Sequence, residues 1–329
     1  MNNTTATAWN LVADIGGTNA RFGLQNPVSY ELHLVRRYVV SQHDRFEDVL
    51  VHYLAGIDQQ GGWQSLPEKA CLAVACPVDS DSVRITNSPW IIDRAHISAR
   101  LGDIQVELVN DFAVVALAVP GLVPGDWRQI GPGTPDEARP IAILGPGTGL
   151  GVCSLVPSAD GYIVIDGEGG HVDFAPVSQR EIAILKELSR EFGRVSVERL
   201  LSGQGILNIY RALAKLDGLE ARLDSPGAIS TAALQGEDAH AADTLGVFFD
   251  VLGSVAGNLA LTLGAKGGVY IAGGIVPQLV ELAEKSGTRE RFESKGRFRT
   301  YLENIPVRVV MTEDLGLLGA MKKLQLAGS

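Results

Sequence analysis

Two glycine turns, each enclosed by apolar segments, constrain this chain more than any other feature. The first lies in "LVADIGGTNARFGL" at 11–24 and the second in "PIAILGPGTGLGVCSLV" at 140–156. In both, an apolar run enters the turn and another leaves it, the pattern of a hairpin rather than of a strand feeding a helix. No Gly-x-x-x-x-Gly-Lys-Ser/Thr occurs, so the chain is not a P-loop protein. The second turn also departs from Gly-x-Gly-x-x-Gly, because Leu150 takes the place of the third glycine. A strand then follows where a dinucleotide-binding fold requires a helix. Two halves that each open on a glycine hairpin point to a duplicated architecture.

The remaining segments fill in a mixed α/β plan. Strands are predicted at "LVRRYVV", "KACLAVACPV" and "IQVELVND", with a helix around 44–59 and another in "FAVVALAVPGL" that breaks near Pro120. The Gly/Pro-rich stretch 121–140 reads as a boundary or linker. Beyond it come "GYIVIDGEGGHVDF", helical segments from Gln179 to Ala214, and an apolar face at Leu245, Phe248, Phe249, Leu252, Val255, Leu259 and Leu263. "GGVYIAGGIV" reads as strand, glycine pair and helix, and "PVRVVM" and "LGLLGAMKKL" as a last strand and helix. Strands cluster before helices, so this is not a plain βαβ alternation.

With 329 residues the chain suits two domains, and its 46% hydrophobic and 20% charged content is that of a soluble globular protein. A formal net charge of −10 argues against nucleic acid. It leaves room for a small anion, which backbone N–H groups bind locally. Cys71, Cys76 and Cys153 have no zinc spacing and are expected to be free thiols in a reducing cytoplasm, with Cys71 and Cys76 buried in an apolar run. "MNNTTATAWN" lacks the basic and apolar regions of a signal peptide. The apolar stretch at 251–265 is shorter than the ~20 residues that span a bilayer. No membrane partner is expected.

The paired turns carry the chemistry. Gly16-Gly17-Thr18-Asn19 and Gly147-Thr148-Gly149 can approach a polyphosphate from two sides, since glycine removes the Cβ where backbone nears phosphate oxygens. Asp14 stands where the positive charge of a P-loop lysine would be wanted. A carboxylate there fits a hydrated Mg²⁺, which keeps several waters and accepts one or two acids; a local turn cap is the plainer alternative. A second group comprises Asn110 and Asp111 at a strand end, Glu168 and His171 in a glycine turn, and Glu198. Asp111 alone could be a helix cap, and Glu198 alone a solvated surface acid. Together, acids, an amide and an imidazole suit a polyhydroxylated ligand, whose hydroxyls both donate and accept.

Read along the whole chain, "DIGGTNAR", "TNSPW", "NDF", "GPGTGLG", "GEGGHVDFAP", "ERLLSGQG", "AGGI" and "LGLLGA" resemble the bacterial glucokinase family of the hexokinase/actin-like ATPase superfamily. The resemblance implies a two-domain actin-like fold of hexokinase type with an interdomain cleft. The small α/β domain would hold residues 1–120 plus 312–329, and the large one 121–311. It implies transfer of phosphate from ATP to the 6-hydroxyl of glucose, the first step of glycolysis, in a cytoplasmic homodimer. Asp111 is then the general base, and Asn110, Asp111, Glu168, His171 and Glu198 hold the sugar. Ala13, Asp14, Ile15, Gly16, Gly17 and Thr18 form one phosphate turn and Gly147, Thr148 and Gly149 the other, with Gly273 and Gly274 beside the adenosine. The related repressor-kinase family carries a Cys-rich zinc motif that is lacking here, so no zinc is expected and His171 is not a zinc ligand. Gln204 stands where the family pattern usually has Pro, which bears on the rigidity of that loop.

Three rival readings differ in what they require. A sugar-responsive regulator on the same fold would need an added DNA-binding helix-turn-helix, for which the thirteen residues before Asp14 leave no room. An actin- or chaperone-like ATPase would have no need for "GEGGH". An acetate kinase or polyphosphatase would want an arginine near Asp111.

Overall fold

The structure is a computed structural model that describes residues 7–59, 62–64, 66–85, 88–159 and 161–326; Thr86 and Asn87 of the "TNSPW" motif lie outside the described residues. The chain is a mixed α/β protein that divides into two compact units, Met1–Gly121 with Glu313–Ser329, and Leu122–Thr312.

The first unit is built on β1 (Asn10–Ile15), β2 (Asn19–Gln25), β3 (Leu32–Val39), α1 (Phe46–Asp58), β4 (Lys69–Val74), a small hairpin of β5 (Ser82–Arg84) and β6 (Ile91–Asp93), α2 (Arg94–Arg100), β7 (Gln105–Asn110) and α3 (Asp111–Ala118). The five-stranded sheet runs β3-β2-β1-β4-β7. β1 and β3 pair antiparallel with β2, while β1, β4 and β7 run parallel. Side chains of a strand alternate between faces, and the burial follows that period. Leu11, Ala13 and Ile15, with Ala70, Leu72 and Val74, face a core of Phe46, Val49, Leu50 and Tyr53 from α1. Val12, Cys71 and Ala73 face the opposite way, onto Val114 of α3. Helix α3 stops at Ala118 and passes into a single turn of 3₁₀ helix, Val119–Gly121, at Pro120.

The second unit contains β8 (Trp127–Ile130), β9 (Ile141–Pro146), β10 (Leu150–Ser158), β11 (Gly161–Gly167), α4 (Gln179–Phe192), α5 (Gly203–Leu216), α6 (Pro226–Gln235), α7 (Ala239–Leu263), β12 (Gly268–Ile271), α8 (Val280–Lys285), α9 (Thr288–Glu293), α10 (Arg299–Glu303) and β13 (Val307–Val310). Its sheet runs β11-β10-β9-β12-β13-β8. The first five strands repeat the plan of the other unit, two antiparallel hairpins followed by two parallel neighbours. The sixth lies inside the stretch read as boundary or linker: the units divide between Gly121 and Leu122, but the rest of 121–140 is not all linker. Trp127–Ile130 forms β8 and pairs antiparallel with β13, and the Arg308 guanidinium lies 3.9 Å from the Trp127 ring centroid. Local Gly/Pro content could not reveal a four-residue edge strand whose partner lies far along the chain.

Helix α7 is long and apolar enough, by length and composition, to cross a membrane. Leu245, Phe248, Phe249 and Leu252 on it are buried in the core of the second unit, with Val255, Leu259 and Leu263 packed against that core. All three cysteines are buried and free.

The chain returns to the first unit as α11 (Leu315–Leu326). Leu317, Ala320, Met321 and Leu324 cover Val12, Ala73 and Val114. Two glycines let the helix come this close. A Cβ on Gly319 would sit 1.8 Å from the Val114 carbonyl oxygen, and one on Gly316 would sit 2.6 Å from the Asp14 carboxyl carbon.

Candidate active site

In the first unit, the parallel strands place two candidate segments on one sheet edge. Ile15 pairs with Val74, and Val74 with Asn110, so β1, β4 and β7 end level with one another. Two strand spacings separate β1 from β7, about 10 Å. Ligands of open α/β sheets bind outside such carboxyl ends. The first glycine turn is closed by Gly16 N–H donating to the Asn19 carbonyl (2.9 Å).

Asn110 and Asp111 divide two roles there. Asn110 is the cap of α3: its Oδ1 accepts from the N–H of Phe112 (3.0 Å) and of Ala113 (3.1 Å), and its Nδ2 donates to the Cys76 carbonyl (3.2 Å). The cap position is therefore filled, and Asp111 is the first residue of the helix proper. Burial pushes the Cys76 thiol up, and the negative charge of nearby Asp111 pushes it the same way.

Asp14 continues the Val12 face of β1, beneath the start of α11. Burial raises its carboxyl above the ordinary 3.8. Arg21 pulls it down, Asp314 pushes it up and Arg37 pulls it down, in decreasing order. Arg21 itself reaches Asp314 at 3.6 Å and donates to the Glu313 carbonyl.

In the second unit, three segments meet at the tip of the β9–β10 hairpin. Gly147 N–H donates to the Gly149 carbonyl (2.8 Å), closing the Gly147-Thr148-Gly149 turn, with Thr148 exposed at its apex. Gly273 packs against the end of β9; its φ of +85° and the 2.4 Å between a hypothetical Cβ and the Pro146 oxygen leave no room for another residue. Glu168 follows β11 directly, and His171 Nε2 lies 3.9 Å from Glu168 Oε2, with both side chains exposed. The His171 carbonyl accepts from Arg194 (2.5 Å), whose Nε is also held by Asp173 (2.7 Å).

Glu198 is neither on an α-helix nor a solvated surface acid. It sits in a 3₁₀ turn, Val197–Arg199, half-buried, and its Oε2 accepts from the Leu150 N–H (2.9 Å). The signal for this placement is non-local. Val197 N–H donates to the Val172 carbonyl and Phe174 N–H to that of Val195, which binds segment 172–174 to 195–197. Gln204, at the family's proline position, donates to Asn208 Oδ1 (3.0 Å), and Asn208 donates to the Arg199 carbonyl (3.0 Å). These bonds tie the loop that proline would have stiffened. Among the described residues, no three His, Cys, Asp or Glu side chains gather into a group that could hold a metal ion.

The glucokinase family model matches residues 11–327. The chain belongs to the glucokinase family. A Hahella chejuensis glucokinase is 42% identical over 315 residues, 96% of each chain. The crystal structure of a glucokinase from an Antarctic psychrotroph superposes with a TM-score of 0.84 at 36% identity, covering 97% of this chain and 99% of its own. A ROK-family glucokinase from Streptomyces griseus, crystallised with glucose and AMPPNP, shares the fold at a TM-score of 0.66 and 18% identity, over 96% of this chain and 99% of its own.

One family turn has a clean test. Gly147 has ordinary backbone geometry, with φ outside the left-handed region, and a Cβ there would meet nothing within 4 Å. Gly147→Val is therefore expected to fold normally, yet its side chain would hold phosphate oxygens off the turn amides. Calorimetry should show nucleotide affinity reduced roughly tenfold, the loss of one or two charge-assisted hydrogen bonds, with glucose affinity near wild type. Unchanged nucleotide affinity would make the turn purely structural.

Proposed function

We propose a specific division of labour for the reaction of this chain, an ATP-dependent glucose kinase. The turns at 13–18 and 147–149 hold the phosphates of ATP, and Gly273–Gly274 lies beside the adenosine. Asn110, Asp111, Glu168, His171 and Glu198 hold the sugar, and Asp111 accepts the proton of the 6-hydroxyl as it attacks the γ-phosphorus.

The observation that carries this is the cap of α3. Because Asn110 satisfies the helix N–H groups, the Asp111 carboxylate is not needed as a cap. It stands at the same sheet edge as the Asp14 turn, two strand spacings away. Two N–H groups of Asn110's side chain exist and only one is used by Cys76, which leaves a donor for a sugar oxygen. Catalysis of this kind is mostly positioning and charge stabilisation. Shielding of the bound nucleotide and sugar from solvent would exclude the water that competes as acceptor.

Asp14 fits Mg²⁺ that arrives with the nucleotide. A desolvated carboxylate with a raised pKa gains from a positive partner, and a single acid suits an ion that keeps its water shell. The ion would supply neutralisation of phosphate charge. The buried thiols and the absence of zinc-type spacing support a cytoplasmic enzyme without zinc. The family resemblance supports a homodimer, and the net charge of −10 supports action on small molecules rather than on nucleic acid or membrane.

The deciding experiment is a coupled assay for ADP with MgATP, with and without glucose. ADP release should depend on glucose. A folded chain that hydrolyses ATP at one rate with and without any hexose would be an ATPase of the same fold instead.

A further inference from the structure

We infer that Glu198 is a positioning residue for the phosphate turn as well as a sugar ligand, so that glucose and nucleotide binding are coupled through its carboxylate; the inference rests on the sugar-kinase reading above. Oε2 of Glu198 takes the Leu150 N–H, the first amide beyond the Gly147–Gly149 turn. The fit is close enough that a Cβ on Gly149 would lie 2.6 Å from that oxygen. Glycine at 149 thus makes space for the acid, where Gly147 makes space for a ligand.

The connection closes into a ring. Ser202 Oγ donates to the Glu198 carbonyl (2.8 Å) and accepts from Gly205 N–H (3.0 Å), capping α5. Gly203 N–H, the next in line, donates to the Gly147 carbonyl (2.9 Å). Both ends of the turn are therefore held from the 198–203 segment, one by side chain and one by backbone. The turn carrying Glu168 and His171 leans on the same residue from the other side, because a Cβ on Gly170 would lie 2.2 Å from the Leu150 oxygen. Leu150 thus lies between the two sugar-side segments, its N–H bonded by one and its C=O packed closely against the other.

A carboxylate has about four lone-pair sites on its two oxygens. One is spent on Leu150, and the others remain for sugar hydroxyls. A hydroxyl that draws on Glu198 fixes its rotamer, and the fixed rotamer fixes the Leu150 amide and the turn before it. Any such coupling must act equally in both directions.

The test is calorimetry on the full chain. Glucose is titrated without nucleotide, and AMPPNP with Mg²⁺ without sugar. Gly149→Ala lies on the phosphate side, yet it should weaken glucose binding about tenfold, the range for one hydrogen bond to a charged group, since its Cβ displaces the Glu198 carboxylate. Glu198→Gln lies on the sugar side, yet it should weaken AMPPNP binding about threefold or more, as a charged acceptor for Leu150 becomes neutral. Any enhancement of AMPPNP affinity by glucose in wild type should vanish in both variants. Glucose affinity in folded Gly149→Ala within about twofold of wild type, or AMPPNP affinity unchanged in Glu198→Gln, would overturn the inference. Should Gly149→Ala fail to fold, the Glu198→Gln titration decides alone. A wild-type chain that binds no glucose would overturn the sugar-kinase reading itself, and the AMPPNP arm would still judge the link between Glu198 and the turn.

Discussion

Asp111→Asn is expected to lower kcat by ~10²–10⁴, the usual contribution of a positioned base, while glucose affinity falls only modestly. Asparagine keeps the size of the side chain and still hydrogen-bonds a hydroxyl, but it cannot take the proton. The loss should therefore appear in kcat rather than in KM, as for an interaction needed only in the transition state. The cap of α3 makes the test sharper than sequence alone would allow. Had Asp111 been the cap, Asn would have replaced it well and activity would have stayed near wild type. The cap is Asn110, so the substitution leaves both capping bonds in place. What Asp111 adds to the helix is charge at its positive end, worth about 0.3–1 kcal/mol, a small fall in melting temperature. A kcat within about threefold of wild type in a folded variant would remove Asp111 as the base.

The sequence showed the parts of the fold that are locally encoded. The β1–β2 and β9–β10 hairpins announce themselves through two apolar runs and a glycine turn, because period-2 burial and turn chemistry lie within a few residues. Helix α7 is legible for the same reason, its buried side chains recurring at helical spacing. Strand β8 is not. It has four residues at a sheet edge, sits among glycines and prolines, and owes its existence to β13.

The candidate site divides along the same line. That Asn110 and Asp111 end a strand before a helix follows from local pattern; which of them caps depends on where β7 stops, a matter of one residue. Glu198 is the larger lesson. Nothing around "VSVERLLSG" separates a surface acid from one held under a turn. The pairing of 172–174 with 195–197 decides it, and that pairing follows from tertiary packing. The sequence also treated the two glycines of the second turn alike, whereas only Gly149 is confined by the protein itself.

Asp14→Asn is expected to separate activity from stability. Activity should fall roughly 10–100-fold, the common effect of removing a group that orients a metal's surroundings, with the loss greatest at low Mg²⁺. Stability of the ligand-free protein should move the other way. Burial is the largest influence on the Asp14 carboxyl and raises it above 3.8, and Arg21 and Arg37 only partly offset burial and Asp314. The folded protein thus holds this proton more tightly than the unfolded chain does. Its contribution to stability is fully present below the ordinary carboxyl range and is lost as pH rises through the raised folded value. As pH rises through that raised value, the wild type comes to carry a desolvated charge that a neutral isostere lacks. Arg21 would still have Asp314 and the Glu313 carbonyl as partners, so it is not stranded by the change. Melting followed from about pH 4 to 8 should show Asp14→Asn equal to wild type at the acid end and at or above it near neutrality. A variant that melts several degrees below wild type at neutral pH while keeping full activity would mean that Asp14 is an anchor for Arg21. In that case the carboxylate would serve the fold rather than the phosphate turn.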